Sequence, residues 1–318
     1  MTRLGAINKI AEKFEDSLKD CRICPRKCGV DRTRGANGYC RAGARPVVYN
    51  HLIHHGEEPP ISGAKGSGTI FFSRCNMKCV YCQNYYFSQL DKGEEVEIPR
   101  LADMMLKLES QGCHNINLVS PTHYLTQILL ALKVATEKGL SIPIVYNTSG
   151  YDLAETIRDL RGIIDIYMPD MRYSDDSMAK LYSDAPDYVE RNREAVLEMR
   201  SQVGDLIIDK NGIAEKGLLI RLLALPDGIS GTIGTLKFIR EKLSENTYLS
   251  IMSQYYPTFK AYEHPELSRG VSGMEYDNIV DEARRLGLNN GWVQDSPEPF
   301  DQKFFGTNIR PGKKDKSN

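Results

Sequence analysis

The sequence has almost no net charge: 41 lysines and arginines stand against 42 aspartates and glutamates, a formal value of −1. That balance leaves no general basic field, so nucleic acid is not an expected partner. No apolar run reaches the roughly 18–20 residues of a membrane-spanning helix. The first residues, MTRLGAINKIAEKFEDSLKD, read as a charged amphipathic helix without the apolar core of a secretory signal. We therefore expect a cytoplasmic protein with no membrane association. No internal repeat is visible. What is present suits a globular chain with a sizeable core: 41% of residues are hydrophobic and 26% charged. A length of 318 residues fits one large barrel-type domain or two ordinary ones.

Composition divides the chain into three regions. Residues 1–65 are rich in Cys, Arg and Gly and include the stretch HLIHHGEEPPISG. The apolar runs there are short, so metal binding or docking on the next region would have to order it. Residues 66–265 alternate strand-like and helix-like segments. Strands are expected at 68–73, 115–120, 142–147, 163–168, 217–225 and 248–253. Helices are expected at 99–112, 122–139, 152–162, 175–182, 187–202 and 229–243. Six such units imply an α/β fold with a mostly parallel sheet and right-handed crossovers. A partial (β/α)6 barrel of TIM type is one reading and a doubly wound sheet the other. In both, ligands sit at the C-terminal ends of the strands. Residues 266–318 hold one helical segment, GMEYDNIVDEARRLGL, then the single tryptophan, Trp292, and a polar basic tail, RPGKKDKSN, expected to be disordered.

The cysteines carry the chemistry. Seven of the eight lie between positions 21 and 82, and Cys113 stands apart as an expected core thiol. A disulfide scaffold suits short secreted chains; clustered thiols in a reducing compartment more often hold metal. Cys75, Cys79 and Cys82, in SRCNMKCVYCQN, have the spacing C-x3-C-x2-C directly after the first expected barrel strand. Thiolates suit iron–sulfur clusters or zinc. Three thiolates on a cubane leave one iron free for a chelating ligand. Arg221 lies inside an apolar strand, where a charge is costly unless it meets a ligand or an ion partner.

This motif, with the aromatic Tyr81 before its last cysteine, resembles the signature of radical S-adenosylmethionine (SAM) enzymes. YCQN is similar to the branch that activates pyruvate formate-lyase. The resemblance implies a catalytic [4Fe–4S] cluster on Cys75, Cys79 and Cys82, with SAM chelating the open iron. It implies reductive cleavage of SAM to methionine and a 5′-deoxyadenosyl radical that abstracts hydrogen from a substrate. It also implies an electron donor such as flavodoxin or ferredoxin.

The resemblance extends cofactor roles to later strand tips. Where relatives carry Gly-Gly-Glu, this chain has NLVSPTH, with Ser120, Thr122 and His123 in place of the acid; Ser120 or Thr122 is alternatively a helix N-cap. NTSGY supplies Asn147, Thr148 and Ser149. YMPDMR supplies Met168 through its carbonyl, Asp170 and Arg172. These two tips would approach the SAM ribose and carboxylate and hold a monovalent cation. Arg221 would meet SAM or form an ion pair. Tyr255 and Tyr256 stand where relatives often carry a histidine and would line the substrate pocket.

Cys21, Cys24, Cys28 and Cys40 have the spacing C-x2-C-x3-C-x11-C. Four thiolates so placed can close a Zn2+ site or a second iron–sulfur cluster, and the sequence does not choose between them. The basic stretch RKCGVDRTRG reads as a cationic metal-binding loop rather than an RNA contact. This arrangement resembles an activating-enzyme-like subgroup with cysteines before the triad. The functional readings left open are modification of a small molecule or peptide, activation of a glycyl radical enzyme, and a non-catalytic iron–sulfur or zinc protein.

Overall fold

Apolar runs too short for helices, each followed by an amphipathic stretch, build a sheet whose strands appear in chain order. The computed structural model describes residues 2–294. Helix α1 is Arg3–Asp16, and β1 is Val47–His54. There follow β2 (Ser67–Phe72), α2 (Ile98–Ser110), β3 (Ile116–Val119), α3 (Leu125–Glu137), β4 (Ile144–Thr148) and α4 (Ala154–Asp159). Next come β5 (Ile166–Pro169), α5 (Asp176–Ser183), α6 (Tyr188–Val203), β6 (Ala214–Leu223) and α7 (Thr232–Lys242). The last elements are β7 (Tyr248–Met252), α8 (Gly273–Arg285) and β8 (Gly291–Val293). Strands β2 to β8 are parallel, each paired with the next, and β1 joins β2 antiparallel at one edge.

This sequential order decides between the two expected architectures. A doubly wound sheet reverses its strand order at a switch point. Here no reversal occurs, so right-handed crossovers stack the helices on one face and the sheet curls as a partial barrel. All six expected strands are present. Four more were not expected: β1, half-exposed and interrupted by Asn50 and His51, β8, only three residues long, and the two-residue strands Glu94–Glu95 and Ile207–Ile208. The basic tail, RPGKKDKSN, lies outside the described residues. Among the described residues no helix is long and apolar enough to cross a membrane.

The first sixty-five residues are ordered by docking. Helix α1 packs on α3 and buries Ala6, Ile7 and Phe14. Arg3 pairs with Asp165 at 2.5 Å and Lys13 with Asp159 at 2.6 Å. Cys21, Ile23, Cys40, Ala42 and Val47 belong to the same apolar cluster as Leu125 and Ile128 of α3. The Thr156 hydroxyl donates to the Ile23 carbonyl at 2.9 Å, and the Arg26 guanidinium to the Asn76 carbonyl at 3.0 Å.

Strand β1 runs down beside β2 until His54 faces Ser67, at the N-terminal end of β2. The strap that follows, residues 55–66, then turns into the barrel. Ile61 is fully buried against Val145, Ile166, Met168 and Leu219, the inward-facing apolar layer. Its carbonyl accepts from Asn115 Nδ2 at 2.8 Å. Burying that side chain contributes about 2 kcal/mol and fixes the strap as the floor of the barrel.

Two measurements test this packing. Gly217 begins the inner part of β6 at φ +126°, and a Cβ there would lie 2.4 Å from the Asp205 carbonyl oxygen and 2.5 Å from Leu206 Cα. Both are backbone atoms, so we expect Gly217→Ala to cost more than about 1 kcal/mol in urea unfolding. An unchanged midpoint would show that this entry is not tightly packed. His123 is buried, and its Nε2 lies 2.8 Å from the Ser73 carbonyl as the donor. Burial pushes its pKa down to about 3, with Arg32 and Arg74 opposing charge further. The unfolded chain takes up this proton near pH 6.5 and the folded chain only near 3. The contribution is therefore complete above pH 6.5 and is lost as pH falls towards 3, at up to about 1.4 kcal/mol per unit. We expect His123→Gln to flatten the fall in unfolding free energy between pH 6.5 and 4.5; equal slopes would contradict the assignment.

Candidate active site

The loop 73–84 leaves β2 at the mouth of the barrel and is held from several sides. Ser73 N–H donates to the Val47 carbonyl at 2.9 Å, Lys78 N–H to Ser183 at 3.1 Å, and Val80 N–H to Tyr182 at 2.8 Å. Asn76 Nδ2 donates to the Tyr151 carbonyl at 2.7 Å. These bonds present three thiols, Cys79 buried and Cys75 and Cys82 partly open. Ser183 Oγ donates to Cys79 Sγ at 3.0 Å, Met77 N–H to Cys75 Sγ at 3.4 Å, and Cys82 Sγ lies 3.2 Å from Ser88 Oγ. Arg172 Nη1 stands 3.7 Å from Cys79 Sγ.

Burial pushes the Cys75 thiol up to about 12 and Cys82 up to about 11, and Cys79 raises both further. Cys79 thus stands close to both. Three thiolates on one loop need a cation among them, and iron would supply one. The donor set fits a cluster on that ground. Among the described residues, no three His, Cys, Asp or Glu side chains converge as they would around a single bound ion.

Beneath Tyr81 and Cys82 opens a cleft into the barrel. Its walls carry Asn147, Asp170, Arg172 and Arg221, all four expected from the strand tips. Arg221 is the hub. Its Nε bonds Asp170 Oδ1 at 2.9 Å, and Nη2 donates to Asn147 Oδ1 at 2.8 Å. Asp170 Oδ2 also accepts from Arg172 Nη2 at 2.5 Å. Burial by itself would lower the Arg221 pKa; Asp170, then Glu58 and Glu57, overcome it and hold the group above its ordinary value. Among the described residues the buried Arg172 Nε has no hydrogen-bond partner.

Sequence reasoning missed Glu57 and Glu58. Both line the cleft, brought there by the strap. Glu57 Oε2 lies 3.5 Å from Arg221 Nη1 and Glu58 Oε1 4.0 Å from Arg221 Nε. Burial pushes Glu58 up to about 7, Arg221 opposing and Glu57 adding to the shift; burial raises Glu57 as well. The available signal was Arg221 itself, a charge in an apolar strand that needed acidic partners.

Other expected residues lie elsewhere. Thr122 and Thr148 are buried around Asp152, which accepts from Thr122 Oγ1 at 2.8 Å, Thr148 Oγ1 at 2.6 Å and the Tyr146 hydroxyl at 3.0 Å. Thr122 is not a helix cap, and Ser120, at φ +57°, lies outside any helix. Ser120 N–H donates to the Asn147 carbonyl at 2.9 Å. Ser149 accepts from the Tyr188 hydroxyl through its carbonyl at 2.7 Å, and Met168 sits in the inner apolar layer. None of these, nor His123, is among the residues lining the cleft. Tyr81 does line it, and its hydroxyl is 2.6 Å from that of Tyr173. Tyr255 donates to the Leu267 carbonyl at 2.7 Å, and its neighbour Gln254 lines the cleft instead.

At the N-terminal cysteines, Cys21, Cys24 and Cys40 are buried and Cys28 partly so. Burial pushes Cys24 up to about 12, with Cys40 adding to it. Arg32 is 3% exposed; it donates to the His123 carbonyl at 2.5 Å and faces Cys40 Sγ at 3.7 Å. Among the described residues Arg32 forms no salt bridge with a carboxylate.

Residues 69–207 match the family model of the radical SAM superfamily, which uses a [4Fe–4S] cluster and SAM. The uncharacterized protein MJ0674 of Methanocaldococcus jannaschii is 27% identical over 289 residues, 87% of this chain and 78% of that protein. The uncharacterized protein MJ0808 of the same organism is 23% identical over 271 residues, 80% of this chain and 75% of that protein. Among solved structures, HydG, a maturase of the [FeFe]-hydrogenase, aligns with a TM-score of 0.48 at 14% identity. That alignment covers 69% of this chain and 48% of HydG, so it spans about half the length of that protein. Methylornithine synthase (PylB) aligns with a TM-score of 0.48 at 15% identity, over 71% of this chain and 63% of that one. On the family-model match, residues 69–207 form a radical SAM domain.

Proposed function

We propose that this protein is an oxidoreductase that cleaves SAM at a [4Fe–4S] cluster held by Cys75, Cys79 and Cys82, and that a small molecule or peptide is its substrate. The observation that supports this reading most directly is the placement of the three thiols. They stand on a pinned loop at the mouth of a parallel barrel, directly over an ionic cleft. When bound, the cluster supplies the electron that breaks a C–S bond of SAM and yields the 5′-deoxyadenosyl radical.

The chain's own residues then have separable tasks. Arg172 and Arg221 offer guanidinium forks suited to a carboxylate such as that of SAM. Asn147 and Asp170 orient those forks from neighbouring strands. The strap closes the far end of the barrel and keeps bulk water from the radical's path.

We also read Cys21, Cys24, Cys28 and Cys40 as a metal–thiolate centre. Arg32, buried without a carboxylate, supports it, because four thiolates around Zn2+ or a cluster carry the negative charge that Arg32 lacks.

Anaerobic reconstitution tests both statements. The wild-type protein should bind about four irons with zinc, or about eight without it, and form 5′-deoxyadenosine with dithionite and SAM. Cys75→Ala, Cys79→Ala and Cys82→Ala should each lose about four irons and all product. Normal product in all three variants would refute the assignment, and a chain holding neither zinc nor extra iron would refute the N-terminal centre.

A further inference from the structure

The floor of the cleft carries unmet hydrogen-bonding capacity that the ionic hub does not use. Glu58 is 4% exposed, and among the described residues its Oε2 has no hydrogen-bond partner of normal geometry. Asn117, fully buried on β3, and Ser250, fully buried on β7, likewise make no side-chain hydrogen bond of normal geometry among the described residues. The pleat turns Asn117 and Ser250 inward, and the strap brings Glu58 to the cleft. Asn117 lies two residues from Val119, and Ser250 two residues from Met252, and both of those line the cleft. Asn117 stands near enough to Glu57, and Ser250 to Glu58, to favour the charged carboxylates.

The charges around these groups do not balance. Three carboxylates, Glu57, Glu58 and Asp170, line the cleft against two guanidiniums, Arg172 and Arg221. Asp170 takes the short contacts from both arginines, at 2.5 and 2.9 Å. The two glutamates keep only the long ones, at 3.5 and 4.0 Å. One carboxyl group is therefore left over among the glutamates, beside which Asn117 and Ser250 stand. An ammonium group has one positive charge and three N–H donors. Glu58 Oε2, the Ser250 hydroxyl and the Asn117 amide oxygen are three acceptors.

We infer that the Glu57–Glu58 floor recognises a protonated amine on a ligand that enters the cleft. The inference rests on the reading that SAM and a substrate occupy this cleft, and it adds the chemical class of the group bound at depth. The amine belongs to the substrate, because SAM chelating the open iron engages its own amino group at the cluster. An uncharged polar ligand would satisfy the acceptors but leave the extra carboxylate without a counter-ion. The burial that raises Glu58 keeps it poised to ionise when a cation arrives.

The experiment uses the reconstituted holoprotein and reads the fluorescence of Trp292, the single tryptophan, which lines the cleft. SAM, n-butylammonium and n-butanol are titrated into wild type, Glu57→Gln, Glu58→Gln and Ser250→Ala. SAM affinity is expected to be unchanged in every variant, and a loss of SAM binding of about tenfold or more in both glutamine variants would place SAM's own amine at the floor and overturn the inference. By contrast, n-butylammonium binds SAM-loaded wild type but not Glu58→Gln, while n-butanol binds neither. Ser250→Ala removes one acceptor and no charge; should a glutamine variant fail to fold, it carries the test with a smaller loss. An affinity for n-butylammonium within about twofold of wild type in all folded variants likewise overturns the inference and leaves the floor to buried water. A wild-type protein with four irons that does not bind SAM would instead defeat the functional reading. The n-butylammonium titration would still report on the floor.

Discussion

Arg221 is the charge around which the barrel interior is organised. A guanidinium taken out of water costs several kcal/mol unless it is met on every side. Its partners come from β5, from β4 and from the strap, three segments distant in sequence. Asp170 answers most closely and is itself shared with Arg172, which reaches back towards Cys79. Loop 73–84, two strand tips and the floor are thereby joined through one ionic chain. Removing any link would leave a buried charge exposed to its neighbours, so the cleft is held open as a polar space instead of collapsing into apolar packing.

The strap shows how a short irregular segment can complete a barrel. Its apolar residue, Ile61, belongs to the inner core, while the two acids just before it face the cleft. One turn of chain thus serves stability and chemistry with adjacent residues. The same economy appears at His123, whose ring bonds the start of loop 73–84 and whose carbonyl receives Arg32. The N-terminal thiols and the thiols of that loop are therefore parts of one packed body.

The parallel strands were legible because each is an apolar run followed by an amphipathic helix, and their order follows from chain succession alone. Strand β1 was hidden by its polar interruptions and β8 by its brevity. At the site, Asn147, Asp170, Arg172 and Arg221 could be found because ligands gather at strand ends. Thr148 was placed with Asn147 although a strand turns consecutive side chains to opposite faces; Asn147 faces the cleft and Thr148 faces Asp152. Glu57 and Glu58 were not legible in the stretch HLIHHGEEPPISG, because their role depends on the strap turning into the barrel, which no local pattern records.

The docking of the first forty residues has a consequence for synthesis of the chain. Their anchors come late: Arg32 waits for His123, Ile23 for Thr156, Lys13 for Asp159 and Arg3 for Asp165. At the ordinary pace of translation, the four N-terminal cysteines are made about ten seconds or more before the surface that will bury them exists. During that interval they are among the most exposed thiols of the nascent polypeptide. Metal capture at that stage would shape the segment before it docks, whereas capture after docking would meet three thiols already buried and only Cys28 partly open.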